Sequence, residues 1–134
     1  MASTPAGSDS HAADILAQVR RAAAICLDHK AVDLVVLSLK DVSDMTDYFV
    51  IASGTSDTHV RALGESVQEG LKKDGTAPHH VEGLVQGRWV LLDYVDFVVH
   101  LFHPSLRNFY QLERLWGDAQ VVRVTAQSVP GSTR

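Results

Sequence analysis

Histidines stand at His11, His29, His59, His79, His80, His100 and His103, and a metal centre would need several of them to converge with carboxylates or thiolates. Their spacing gives no such convergence. His100 and His103 are three apart, which on a strand sends them to opposite faces, while His79 and His80 lie in a polar stretch with Glu82 nearby. The lone cysteine, Cys26, falls on an apolar helical stripe and reads as a small buried hydrophobe, not a nucleophile. Alone it makes neither an internal disulfide nor a thiolate metal site, which fits a reducing, cytoplasmic setting. Gly54-Thr55-Ser56 leads into a helix and could in principle cradle a phosphate. No Walker-type Lys follows it, however, and a strand turning into a capped helix explains the same residues. Asp93 and Asp96 flank a turn at a spacing that keeps them off a single strand face, so they do not form a two-metal site for nucleotidyl transfer. No catalytic residue, metal ligand or cofactor is therefore expected. Asp41, Asp44, Asp47 and Asp57 read instead as an acidic rim that would steer a basic partner.

The elements that must position these residues follow from hydrophobic spacing. Ile15, Val19, Ala22 and Cys26 recur at steps of four, three and four, which predicts an amphipathic helix over about residues 10–29. Val32 to Leu39 and Tyr48 to Ser53 are β-branched and aromatic runs separated by a polar connector, Lys40 to Thr46, and read as two strands. Ser56 is placed to cap a second helix carrying Val60, Leu63, Val67 and Leu71 and ending at Gly75. Thr76 to Arg88, with Pro78, Gly83 and Gly87, reads as a loop with room for a short strand. Trp89 to Phe102 suits an antiparallel hairpin. Pro104 opens a third helix with Leu106, Phe109, Tyr110, Leu112 and Trp116 before Gly117 stops it. The order α, β, β, α, β, β, α argues for a small α/β (α+β) domain around a mixed β-sheet with flanking helices.

The chain has 134 residues, enough for one domain, and its 46% hydrophobic and 21% charged content supports a packed core. Residues 1–9 and 119–134 read as flexible ends around a domain at 10–118. The polar opening lacks the basic start and apolar stretch of a secretory signal, and no run is long enough to span a membrane. A net charge of -4 supplies no independent footprint for a phosphate backbone, so any nucleic acid is met through a partner.

The hairpin says most about that partner. Pairing Trp89 with Phe102, Leu91 with His100 and Asp93 with Val98 puts these six on one face and leaves Val90, Leu92, Tyr94, Phe97, Val99 and Leu101 on the other. The second face is uniformly apolar and belongs against the helices. The first mixes Trp and Leu with an acid and a histidine, as a partner surface does. The same composition also fits a face covered by another helix of the chain.

Three blocks now carry a resemblance. Thr46 to Ser56 with His59-Val60, Glu82-Gly83 with Trp89 to Tyr94, and Asp96 to His100 with Arg107, Phe109-Tyr110 and Leu112 to Asp118 together resemble the ribosomal silencing factor family, RsfS or Iojap. The resemblance implies a nucleotidyltransferase-like topology without catalytic residues, hence no enzyme. It implies binding to ribosomal protein uL14 on the large ribosomal subunit, steric blocking of small-subunit association, and lowered translation when nutrients are short. The partner-binding residues it points to are Trp89, Leu91, Asp93, Val98 and His100, with Tyr94 set apart because strand parity turns it inward. Asp47, Glu82, Tyr110, Glu113 and Trp116 also match the family pattern. Val95 departs from it, standing where many relatives have Gly before the Asp of the turn. Two other readings stay open: a nucleotide-binding enzyme on the same fold, and a homodimer through the mixed hairpin face.

Overall fold

The computed structural model describes residues 6–106 and 120–122. Helix α1 (Ala6–Asp28) buries Ile15, Val19, Ala22 and Cys26 along one side and starts four residues before the expected Ser10. It closes with Lys30 at φ 67° and the Ala31 N–H donating to the Cys26 carbonyl at 2.9 Å, a left-handed stop that turns the chain into β1 (Val32–Ser38). β2 (Tyr48–Ser53) returns antiparallel to β1, with Val36 opposite Val50. Ser56 then caps α2 (Asp57–Lys73) as expected, its Oγ accepting from the His59 N–H at 3.1 Å, and Val60, Leu63, Val67 and Leu71 form the buried stripe.

The stretch read as a loop contains a short strand, β3 (His80–Glu82), paired with β4 (Trp89–Asp93). β4 and β5 (Phe97–Phe102) form the expected hairpin in the expected register: Trp89 opposite Phe102, Leu91 opposite His100, Asp93 opposite Val98. The last part of the described chain differs from the expectation. Residues 120–122, read as tail, form edge strand β6 (Gln120–Val122) against β1. Three residues are too few for side-chain alternation to announce a strand, and the edge of β1 supplies the hydrogen bonds that create it. Of the third helix, Pro104, Ser105 and Leu106 are helical; Arg107, Phe109, Tyr110, Leu112, Glu113 and Trp116 lie outside the described residues.

The six strands make one mixed sheet in the order β3-β4-β5-β2-β1-β6, parallel only between β2 and β5. α1 and α2 cover one face, where Val36, Val50, Val90, Leu92, Phe97, Val99 and Leu101 join Val19, Leu63 and Leu71 in the main core. Each such large side chain contributes roughly 1.5 to 3 kcal/mol. The opposite face holds a second, smaller cluster of Leu37, Leu39, Ile51 and Phe102, with Val42, Phe49, Trp89 and Leu106 packed partly against it. Among the described residues no helix is long and apolar enough to cross a membrane.

The β4–β5 turn explains the departure at Val95. Asp93 Oδ1 accepts from the Val95 N–H at 2.8 Å, the Tyr94 N–H donates to the Phe97 carbonyl at 2.9 Å, and Val95 is driven to φ 74°. A β-branched side chain in that region is strained. Val95→Gly should therefore raise stability by about 0.5 to 1 kcal/mol, the relief outweighing the added freedom of glycine in the unfolded chain. A thermal melt checks this: a rise of a few degrees is expected. A lowered melting point would mean that the half-exposed Val95 side chain is held by packing.

Candidate functional site

The face of the sheet away from α1 and α2 carries a groove of about 270 Å³ between the 39–47 connector and the β4–β5 hairpin. The connector is built by its own hydrogen bonds. The Leu39 N–H donates to the Asp47 carbonyl at 2.7 Å, the Ser43 N–H to the Leu39 carbonyl at 2.8 Å, and the Met45 N–H to Ser43 Oγ at 3.1 Å. The Asp47 N–H then donates to the Asp96 carbonyl at 2.9 Å, which ties the connector to the hairpin turn. Phe49, Leu91, Val98 and His100 line it together with Thr46 and Asp93, while Met45 and Val95 stand 90% and 52% exposed at its edge.

Strand parity brings Trp89, Leu91, Asp93, Val98 and His100 to this one face, as the sequence requires. Their exposures differ. Trp89, Leu91, Asp93 and Val98 are half-buried, but His100 is only 5% exposed. Trp89 stacks at a tilt over Phe102, ring centroids 5.0 Å apart, and its Nε1–H donates to His100 Nδ1 at 3.2 Å. The edge contact of Phe49 with His100, at 4.6 Å, helps enclose the imidazole. Tyr94 requires a correction. It is 7% exposed in the main core on the helix side, stacked on Phe97 at 4.8 Å, so it does not share the face with the other five. Burial pushes its hydroxyl up to about 12.

Because Nδ1 accepts from Trp89, the neutral His100 ring carries its hydrogen on Nε2. Burial lowers its pKa from 6.5 to about 4, since a charged imidazolium there would lose its water. As the pH falls, the unfolded chain takes up this proton before the folded one. Stability associated with His100 is thus fully present above about 6.5 and is lost progressively toward pH 4, by on the order of 3 kcal/mol. Chemical unfolding across that range checks it. His100→Asn should flatten the slope, and an unchanged slope would assign the titration elsewhere.

The acidic rim is partly assembled. Asp41 and Asp44 are exposed on the connector and Asp47 follows at its end. Asp57 is separate: it starts α2 at the opposite end of β2, accepting from the Thr58 N–H at 2.8 Å and facing Arg61 at 4.0 Å. The Gly54-Thr55-Ser56 turn is already engaged by His59. The Thr55 N–H donates to His59 Nδ1 at 2.8 Å, and the His59 Nε2–H donates to the His29 carbonyl at 2.8 Å, so this histidine locks α1 to the entry of α2. A phosphate there would have to displace that contact. Among the described residues, no three His, Cys, Asp or Glu side chains are grouped to hold a metal ion.

Sequence reasoning missed Met45, Thr46 and Phe49 as parts of the groove. A polar connector carries no period that would show its one exposed Met standing over a neighbouring hairpin. Phe49 was legible as a strand residue whose alternation opposes Tyr48 and Val50, but its meeting with His100 depends on the parallel β2–β5 pairing.

These features define a small domain of the α/β class, with Trp89 and an apolar groove on the sheet face away from the helices. The comparisons give that class its family. Residues 12–134 match the family model described as "Ribosomal silencing factor during starvation". The chain is 42% identical over 98 residues to the ribosomal silencing factor RsfS of Bacillus subtilis, covering 73% of this chain and 83% of the relative. It is 40% identical over 97 residues to RsfS of Halalkalibacterium halodurans, covering 72% and 83%. The crystal structure of a Chromobacterium violaceum protein superposes with a TM-score of 0.75 at 35% identity, covering 77% of this chain and 86% of that one. The chain belongs to the ribosomal silencing factor family, and its sheet and helices are those of the solved relatives.

Proposed function

We propose that the protein represses translation as a steric plug, with no turnover. The groove face and Trp89 dock on ribosomal protein uL14 of the large ribosomal subunit, and the bound domain occupies space the small subunit needs. The observation that carries this reading is the half-buried Trp89 beside a groove lined by Leu91, Val98 and Phe49, an aromatic anchor on an apolar patch with a polar edge. Asp41, Asp44, Asp93 and Asp96 add negative charge at the same end, suited to a basic partner surface and acting chiefly on the rate of encounter. An enzymatic reading has less support, because the Gly54-Thr55-Ser56 turn that could cradle a phosphate is bonded to His59.

Sedimentation of the purified protein with isolated large and small subunits tests the proposal. Comigration with the large subunit and loss of joined ribosomes is expected, without nucleotide or divalent-ion dependence beyond that of the subunits themselves. Failure to travel with large subunits at low salt would overturn it.

A further inference from the structure

His100 Nε2 and Thr46 Oγ are buried, have no hydrogen-bond partner among the described residues, and belong to two residues lining the same groove. His100 sits on β5 in the floor and Thr46 on the connector wall. Buried polar atoms left unpaired are costly to a fold, so two beside one groove mark a place where a partner's polar group would be strongly favoured. The chemistry of that group is constrained from both sides. Trp89 already uses Nδ1, so His100 offers only a donor, Nε2–H, and the partner must bring an acceptor. Asp93 lines the same groove and the chain is net acidic, which disfavours a carboxylate or phosphate. A cation would find no acceptor on this imidazole. What remains is a neutral amide carbonyl, with the Thr46 hydroxyl free to donate to the same oxygen or to accept from the adjoining N–H. The space, about 270 Å³, holds such an amide together with one apolar side chain against Phe49 and Leu91.

Resting on the proposed docking to the large subunit, we infer that this groove receives an apolar residue of the ribosomal partner whose amide carbonyl is bound by His100 Nε2–H and Thr46 Oγ–H. His100 and Thr46 are thereby specificity-determining residues beneath the Trp89 anchor. The exposed Met45 flanks the entrance and is unbranched, so it can move aside as the residue enters.

The test uses the full chain, isolated large subunits as the probe, and two readouts: Kd for the subunit and the melting point of the free protein. Thr46→Val removes the hydroxyl at nearly constant shape, Thr46→Ser keeps it, and His100→Asn puts an amide oxygen near the position of Nδ1 while leaving nothing at Nε2. Thr46→Val and His100→Asn should each raise Kd about tenfold, with Thr46→Ser within about twofold of wild type. The melting point of Thr46→Val should not fall, because the hydroxyl has no partner to lose in the free protein. Unchanged Kd in Thr46→Val and His100→Asn, with wild-type protein binding normally, overturns the inference and leaves the docking intact. A Kd rise matched by a lowered melting point in Thr46→Val overturns it too, since the hydroxyl would then serve the fold. If wild-type protein fails to bind the large subunit, the docking itself falls and takes the inference with it.

Discussion

Trp89→Ala should weaken binding to large subunits by about 2 kcal/mol or more, roughly thirtyfold, the loss expected for an aromatic anchor at the centre of a small interface. It should also lower the melting point. The indole lies over Phe102 and donates to His100, so its removal bares one ring and strands Nδ1 of the other. Trp89→Phe separates the two effects, because it restores much of the ring packing over Phe102 but not the N–H. Recovery of most of the stability with only part of the affinity is the expected pattern, read by thermal melting beside subunit titration. Normal affinity in Trp89→Ala with a strongly lowered melting point would make Trp89 a residue of the small core alone.

Gly83→Ala is expected to cost stability on a similar or larger scale, about 3 kcal/mol. Gly83 lies at φ 77° just after β3, and a Cβ there would stand 2.0 Å from the Trp89 carbonyl oxygen. The conformational cost alone is about 1 to 2 kcal/mol. The clash is with backbone, which cannot rotate away as a side-chain tip would, so β3 must separate from β4 or β4 must shift. Gly75→Ala is the internal comparison, since Gly75 has φ 90° with nothing within 4 Å of its added Cβ and should show the conformational cost only. Urea unfolding of the two variants side by side decides the matter. Equal losses would mean that the close approach to Trp89 carries no energy. Because the atom struck belongs to Trp89, Gly83→Ala should also weaken subunit binding beyond its effect on the folded fraction.

The hairpin was legible because two periods agreed. Alternation from Trp89 to Asp93 and from Phe97 to Phe102 set opposite faces, and the apolar set had to meet the helices, which left one register. That logic placed Leu91, Asp93, Val98 and His100 together and turned Tyr94 inward. The depth of His100 was not legible, since parity assigns a face but says nothing of what packs above it. Phe49 comes from a strand 51 positions away in sequence, through a parallel pairing that no local pattern announces. β3 and β6 were hard to read for a related reason: three-residue strands owe their form to the neighbouring strand's free hydrogen bonds. Asp57 was misplaced into the acidic rim because its type matched, whereas its position at the start of α2 gives it a helix-end role.

The parallel ladder between β2 and β5 has a consequence for the protein's own synthesis. Two antiparallel pairs, β1 with β2 and β4 with β5, are close in sequence and can form early, but the groove floor takes Phe49 from the first pair and Leu91, Val98 and His100 from the second. Neither half alone contains the surface. A nascent chain therefore cannot display it until the sequence through Phe102 has left the exit tunnel and the two halves have joined. The docking face proposed above is thus missing from the chain for most of its own translation.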